Sequence, residues 1–430
     1  MEHIIPSWML IPFVLQLLCI AILPLTKLEE WWENNLHKLY VSLILGVPVG
    51  IWLCINGMSH ELEHQMIYDY VPFILLLMAL FVTTGGICIK GDLKATPLTN
   101  TIILAIGWVL ASFMGTTGAA MLLIRLLIQT ISQRKYKVHT ILFFIAIVAN
   151  CGGLLTPLGD PPLFLLFQKG AEFTWFFSLT PQWATTGLLL LLTYFCMDSY
   201  YYKKEPAEAL AADEAEQRSI RVGGLINIFW LLCVICSTMF INSKYIPAMG
   251  EHDAPFYIKL LREWAFIAII ILSMVTTKKS TRIANNFSWT PILEVACVFC
   301  GIFATMTPAL MFLENMKEQI QQVLSQPWQY VYCTGILSAF LDNAPTAMVF
   351  NSMAPSTVLP GLADEIYLGA VSMGAVFFGA LTYIGNGPNF MVKSIAEQSG
   401  IKMPSFFGYM IKFSLIICLP IYIITQLIFF

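Results

Sequence analysis

Long apolar runs alternate along this chain with short polar intervals, and most of the runs are long enough to cross a bilayer. A helical span needs about 17–25 predominantly apolar residues. Runs of this kind occupy 4–25, 40–57, 70–89, 140–167, 183–201, 224–243, 264–277, 291–313, 366–392 and 405–430, the 264–277 run being short as drawn. Two further runs, 99–129 and 329–353, are interrupted near their middles by Gly115-Thr-Thr-Gly118 and Asp342-Asn-Ala-Pro345. The pattern predicts an all-α polytopic membrane protein with helices broken on purpose.

The breaks come in matched pairs. The first copy reads Phe113-Met-Gly-Thr-Thr-Gly-Ala-Ala-Met121 and then Thr156-Pro-Leu-Gly-Asp-Pro-Pro-Leu-Phe164. About 226 residues later the chain reads Phe340-Leu-Asp-Asn-Ala-Pro-Thr-Ala-Met348 and then Thr382-Tyr-Ile-Gly-Asn-Gly-Pro-Asn-Phe390. A weaker echo joins Phe81-Val-Thr83 to Phe303-Ala-Thr305. Interrupted segments at corresponding positions of two halves are the sequence pointer to the binding site of a secondary transporter.

Charge sets the expected topology. Residues 58–69 hold no Lys or Arg and should face outward, whereas Lys90 and Lys94 fall inside. The interval after the first interrupted run carries Arg134, Lys135 and Lys137, which also favours the inside. Two inside loops flanking one apolar run require a re-entrant hairpin. Lys203, Lys204, Arg218, Arg221, Lys278, Lys279 and Arg282 then fall inside as well, and residues 354–365, without a basic residue, fall outside. Only 244–263, with Lys244, Lys259 and Arg262, departs from the bias. The expected plan is two inverted-topology repeats, each of about five spans, one re-entrant hairpin and one unwound helix, with both termini outside. The first repeat is 1–201, with hairpin 99–129 and unwound segment 150–164. A cytoplasmic linker, 202–223, is expected as a surface helix or loop, and the second repeat, 224–430, has hairpin 329–353 and unwound segment 382–390.

Composition agrees with the patterning. Hydrophobic residues make up 58 % of the 430 positions and charged residues 11 %, against about 25 % charged in a soluble domain. The net charge of -3 carries no message about nucleic acid and no basic run suggests it, so none is expected as a partner. The first run has no positive n-region and is long enough to span, so it reads as a retained helix. Cys233/Cys236 and Cys297/Cys300 have C-x-x-C spacing, but each pair lies within an apolar helix and reads as packed core rather than redox or metal chemistry.

Backbone that leaves the helix inside hydrocarbon must be satisfied by protein or by a water-filled cavity. Half-helices there aim N-termini at anions and freed carbonyls at cations. Thr116, Thr117, Thr156, Thr346 and Thr382 add hydroxyls at the turns, and Asn343, Asn386 and Asn389 add amides. Gly159 and Gly385 allow close backbone approach. Asp160 and Asp342 carry the strongest signal, since a mid-membrane carboxylate costs at least about 2.5–3.5 kcal/mol. Surrounded by hydroxyl and carbonyl oxygens, it makes a hard-oxygen site suited to a transported Na⁺. Left without its cation, a buried carboxylate takes a proton instead. Neither half shows a nucleophile–base pair or resident metal site, so no enzyme and no cofactor beyond Na⁺ and H⁺ are expected.

Several other features read as structural. His60-Glu-Leu-Glu-His64 fits H-E-x-x-H but is expected in a solvated outer loop. Arg125 and Lys393 are placed to snorkel toward an interface. Glu294 has two open readings, a proton relay or an acid at a helix start.

At these residues the chain resembles the NhaD sodium/proton antiporters and, more broadly, the ion-transporter superfamily that includes citrate, dicarboxylate and arsenite carriers. Asn150-Cys-Gly-Gly-Leu-Leu-Thr-Pro-Leu-Gly-Asp160 is similar to the N-x-G-G-x-x-[ST]-P-[IL]-G-D segment of that group, and Leu337-Ser-Ala-Phe-Leu-Asp-Asn-Ala-Pro-Thr346 to its S-A-x-x-D-N-x-P hairpin. The resemblance implies ion-site roles for Asp160, Asn150, Asp342 and Asn343. It also implies a scaffold with a moving transport domain, a homodimer and a bacterial inner membrane. Two departures matter: the first hairpin carries Gly115-Thr116 in place of an Asp-Asn pair, and Gly385-Asn-Gly-Pro-Asn389 is nearer the G-x-P-P-N of citrate and dicarboxylate carriers. The leading expectation is Na⁺/H⁺ antiport by Asp160 and Asp342. Cation-coupled citrate or dicarboxylate transport is the alternative, held second because no arginine is evident deep in the membrane to clamp the anion.

Overall fold

The apolar runs fold as helices in a computed structural model that describes residues 5–251, 253–359 and 361–430, the side chain of Leu25 excepted. Residue 4, where the first run was drawn to begin, lies outside the described residues. In chain order the principal helices are α1 (Leu10–Ile22), α2 (Asn35–Ile55), α3 (Ser59–Gly85), α4 (Pro97–Met114), α5 (Thr116–Thr130), α6 (Val138–Ile147), α7 (Pro161–Gln168) and α8 (Thr180–Tyr202). They continue as α9 (Ala207–Ala215), α10 (Ile226–Phe240), α11 (Leu261–Thr276), α12 (Thr290–Asn315), α13 (Pro327–Phe340), α14 (Asn343–Met353), α15 (Glu365–Phe378), α16 (Gly387–Gln398) and α17 (Phe406–Phe429). Six helices among the described residues are long and apolar enough to cross a membrane. The chain is an all-α polytopic membrane protein.

Helix starts follow their caps. The Asn34 side chain accepts from the Leu36 N–H at 3.0 Å, so α2 begins five residues before the apolar run does. Thr96 accepts from the Thr99 N–H at 3.1 Å with Pro97 at the first helical position of α4. The 264–277 run also starts earlier, at Leu261. One expectation is corrected here: His60-Glu-Leu-Glu-His64 is helical, because α3 runs unbroken from Ser59 into the membrane. His60 and His64 join no cluster of metal-ligating side chains among the described residues.

Burial sorts the helices into layers. The Val138–Leu155 segment is 94 % buried, whereas the Asn35–Ile55 helix is 28 % buried. A helix that is apolar on all sides and wholly enclosed belongs at the centre of the bundle, and one apolar outward belongs in lipid. Small residues let α2 and α12 cross closely: a Cβ on Gly46 would lie 3.1 Å from that of Ala304, and one on Gly301 would meet Ser42 at 2.6 Å.

Loops gather on two faces. On one face β1 (Cys88–Asp92) pairs antiparallel with β2 (Arg218–Gly223), with Lys90 opposite Arg221. The linker is therefore a helix followed by a strand, α9 then β2. Arg134 Nη1 donates to the Ala95 carbonyl at 2.9 Å, which ties together the two ends of the α4–α5 hairpin. Toward the other end of α3, about 24 Å from Gly85 by helical rise, Lys169 pairs with Asp69 at 2.8 Å, and Lys244 pairs with Glu172 at 2.7 Å. The α13–α14 hairpin closes in the same way, Tyr330 Oη donating to the carbonyls of Leu324 (3.2 Å) and Met353 (3.4 Å). Its outer end lies beside Lys317, just past the C-terminus of α12, and Lys317 bonds Ser356 at 2.5 Å. The two hairpins thus open to opposite faces.

Candidate ion and substrate site

Four half-helices begin at the breaks: α5 at Thr116, α7 at Pro161, α14 at Asn343 and α16 at Gly387. The sequence forces each start. Gly115 adopts φ 79°, ψ 148°, a region that essentially only glycine tolerates, so α4 cannot continue into α5. Pro161-Pro162 and Pro388 sit in first turns, where the missing N–H costs no helical bond.

The starts meet at Asp160, which is 2 % exposed. Its Oδ1 accepts from Thr116 Oγ1 at 2.8 Å and from Asn386 Nδ2 at 3.0 Å. Its Oδ2 accepts from Asn343 Nδ2. One carboxylate is therefore held by the first hairpin, the second hairpin and the second unwound segment. The Thr116 N–H also donates to the Gly159 carbonyl at 2.8 Å, seating the hairpin tip on the first unwound segment.

Matching positions of the two copies face one another or repeat each other's bonds. Asp160 and Asn386 correspond in the repeat and are in direct contact. Thr156 donates to the Ser112 carbonyl and Thr382 to that of Ala339, each reaching back to the preceding hairpin helix. The pairs Gly153–Gly159 and Gly379–Gly385 pack backbone on backbone: a Cβ on Gly159 would lie 2.0 Å from the Gly153 carbonyl oxygen, and one on Gly385 2.6 Å from that of Gly379. The Thr83 and Thr305 hydroxyls both turn back onto their own helices, at 2.8 Å in each case.

Asn150 donates to the Ile145 carbonyl at 2.8 Å and to Asn389 Oδ1 at 2.7 Å, and accepts from Asn386 Nδ2 at 3.3 Å. Asn389 in turn donates to the carbonyls of Gly379 (2.8 Å) and Thr382 (3.0 Å). These amides satisfy the peptide groups that the unwound backbone frees and carry Asn386 against the carboxylate. Thr346 bonds the Asp342 carbonyl at 2.8 Å. Thr117 makes no side-chain hydrogen bond among the described residues.

Asp342 is placed differently from Asp160. Its carboxylate accepts from the Ala344 N–H at 3.1 Å, the N-cap of α14, and shares no hydrogen-bond partner with Asp160. Glu294 is ion-paired to the buried Lys38 at 2.5 Å, which accounts for it without a relay. Lys393 bridges to Glu397 at 3.1 Å, and Arg125 Nη1 lies 2.8 Å from the Asn286 side-chain amide, which accepts from it when its oxygen is turned toward the guanidinium. The four C-x-x-C cysteines are free thiols.

The sequence pattern also missed a buried charged cluster at the base of the first hairpin. Arg134 pairs with Asp198 at 2.8 Å and Glu205 at 3.0 Å, and His139 Nε2 lies 2.8 Å from Asp198. Glu205 further accepts the backbone N–H groups of Lys135 (2.8 Å) and Tyr136 (2.9 Å). An acid late in α8 and a second just past it, in an otherwise apolar neighbourhood, were the available signals.

A broken-helix membrane fold closing two hairpins on one buried carboxylate defines a transporter. The chain belongs to the family described as "Putative citrate transport", whose match runs over residues 2–430. It is also similar to uncharacterized transporters of Mycobacterium tuberculosis and Mycobacterium bovis. Each is 24 % identical over 398 residues, covering 86 % of this chain and 88 % of the relative. The family match lies with citrate transport rather than with the sodium/proton antiporters.

Proposed function

We propose that the protein is a cation-coupled carrier of citrate or a related di- or tricarboxylate, with Asp160 as the coupling acid. The observation that carries this reading is the convergence of four half-helix N-termini on Asp160. Each N-terminus presents about half an elementary positive charge and unpaired N–H groups. Together these roughly balance Asp160 and Asp342 when both are ionised. A Na⁺ or H⁺ at Asp160 then leaves the site net positive, and an anion is accepted only after the cation. Coupling follows from that order, and helix ends and amides serve where an arginine clamp would otherwise stand.

The hairpins opening to opposite faces, and the contact between matching positions Asp160 and Asn386, support an inverted repeat with its axis through the site. In that arrangement the same carboxylate serves the inward- and outward-open states. Sodium/proton exchange is the second reading, favoured by a lone buried carboxylate that either ion can neutralise. The departure of Asp342 from Asp160 weakens its two-acid form.

Purified protein in vesicles should accumulate labelled citrate or succinate when a Na⁺ or proton gradient is imposed. Absence of uptake of either, together with proton release on adding Na⁺ or Li⁺ to vesicles holding a pH gradient, would replace this reading with antiport.

A further inference from the structure

We propose that Arg125 receives a carboxylate of the substrate on the cytoplasmic side of the first hairpin, as a second station beyond the helix N-termini at Asp160. The inference rests on the carboxylate-carrier reading. It starts from the surface of α5, the half-helix that begins at the site. Thr117, Met121 and Arg125 are partly exposed and lead to the exposed Gln129, while most residues between them are buried. Positions four residues apart form one stripe along a helix. The stripe runs about 12 Å from Thr117, at the hairpin tip, to Arg125, toward the face that the charge pattern assigns to the cytoplasm. The helix α16 packs along α5. It begins at Gly387, where an added Cβ would meet nothing within 4 Å, so space remains open next to Asn386.

Arg125 is held but not neutralised. Its partner is the Asn286 side chain, 2.8 Å from Nη1 and 3.3 Å from Nη2 once the amide oxygen faces the guanidinium. No carboxylate pairs with it among the described residues. Asp92, on the strand beside α5, stands opposite Arg218 and beside Gln129, a turn beyond Arg125. Lys393, on α16, is paired with Glu397. A guanidinium offers five donors in a planar fork. Asn286 occupies its Nη end, which leaves the Nε edge for a carboxylate bound through two parallel bonds.

The turn that presents Asn286 is fixed in place. Arg282 Nη1 donates to the Val82 carbonyl at 2.9 Å, and Asn285 Nδ2 to that of Gly85 at 3.2 Å. Asn286, at φ 49°, is the only non-glycine residue with positive φ among the described residues. Asparagine visits that left-handed region more readily than most side chains. Snorkelling to an interface fits this arrangement poorly. Helical side chains tilt toward the N-terminus of their own helix, which for Arg125 is the hairpin tip. The neighbouring Phe287 packs on Gly85, and Thr84 beside it packs on Gly118, in the first turn of α5. Nor does the repeat require the residue. At the matching positions of the second hairpin stand Ala344, Met348 and Ser352, the first two buried.

The test is protection of a cysteine on the stripe. Met121→Cys is placed in inside-out membrane vesicles, which present the cytoplasmic face, and treated with an impermeant anionic thiosulfonate. Labelling is read at residue 121 by mass spectrometry. Citrate at ten times its half-protecting concentration should slow labelling roughly tenfold, and sulfate at equal ionic strength should not. Arg125→Gln should raise the half-protecting concentration about tenfold or more, the worth of a charge-assisted bond. Asp160→Asn should leave protection in place. At low salt, Arg125→Gln should also lower the ratio of anionic to cationic reagent rates roughly tenfold, since a unit charge one helical turn away acts on both. Labelling indifferent to citrate, equal protection by sulfate, protection unaltered by Arg125→Gln, or protection lost with Asp160→Asn would overturn the assignment. Should Arg125→Gln fail to accumulate, Arg125→Lys keeps the charge without the fork. It should need severalfold more citrate, and an unchanged requirement would overturn the assignment equally. Citrate uptake into right-side-out vesicles reads the carrier separately. Uptake without protection sinks the Arg125 station alone, protection without uptake of citrate or succinate sinks the carrier reading alone, and absence of both signals sinks both.

Discussion

Replacing Asp160 with Asn removes the charge and almost nothing else. The three donors on the carboxylate are Thr116 Oγ1, Asn386 Nδ2 and Asn343 Nδ2. An amide oxygen at the Oδ1 position still accepts from Thr116 and Asn386. Its NH₂ then faces Asn343, whose own amide turns over to accept. Three charge-assisted bonds become neutral ones, a loss of about 1 kcal/mol each. Relief from burying a charge offsets much of that loss, so the fold should survive with its Tm moved by only a few degrees. The cation loses far more. A carboxylate 4 Å from a monovalent ion contributes about 4 kcal/mol at an effective dielectric near 20, or roughly three orders of magnitude in affinity. The assay is labelled citrate uptake into vesicles across a series of Na⁺ concentrations and pH values. Asp160→Asn should abolish gradient-driven accumulation while the detergent-solubilised protein melts near the parent. Wild-type cation dependence in this variant would remove Asp160 from the coupling step, and collapse of the fold would assign it a structural role.

Other substitutions probe the surrounding geometry. Asn386→Ala deletes one charge-assisted bond to Oδ1, about 1.5–3 kcal/mol, and should raise half-saturating substrate at least roughly tenfold; unchanged concentration dependence would refute its place in the site. Gly159→Ala puts a Cβ 2.0 Å from the Gly153 carbonyl oxygen, so folded protein should be lost from membranes, and parental yield and Tm would contradict the close packing. Arg134→Gln strands Asp198 and Glu205 in a buried setting, which costs about 3–5 kcal/mol and should lower Tm markedly; an unchanged Tm would show that the cluster is not what fastens the base of the first hairpin.

The breaks were legible because they violate the pattern around them. Gly115, Asp160, Pro161, Asp342 and Gly385 have no reason to stand in apolar runs unless the backbone turns there, so the α4–α5 and α13–α14 hairpins and both unwound segments fall where the runs are interrupted. Helix starts were less legible. The polar residues that cap α2 and extend α3 through His60–His64 resemble loop in composition, and only their hydrogen bonds reveal them as helix. The Arg134–Asp198–Glu205 cluster was hidden for another reason. Its members come from separate segments, and each residue alone reads as an ordinary charged position at a membrane edge.

The opposite happened with the two acids. In sequence Asp160 and Asp342 are alike only in being carboxylates inside a break, one in an unwound segment and one in a hairpin, and they invite one shared cation site. A local hydrogen bond to Ala344 turns Asp342 into a helix cap, and the packing of four elements closes Thr116, Asn343 and Asn386 around Asp160 instead. Patterning along the chain determined the class and the broken helices, because backbone in hydrocarbon must satisfy its own hydrogen bonds and every polar exception is penalised. Which exception sits at the centre was decided by tertiary structure, because amide and hydroxyl donors select a carboxylate by distance across the fold and not by separation along the chain.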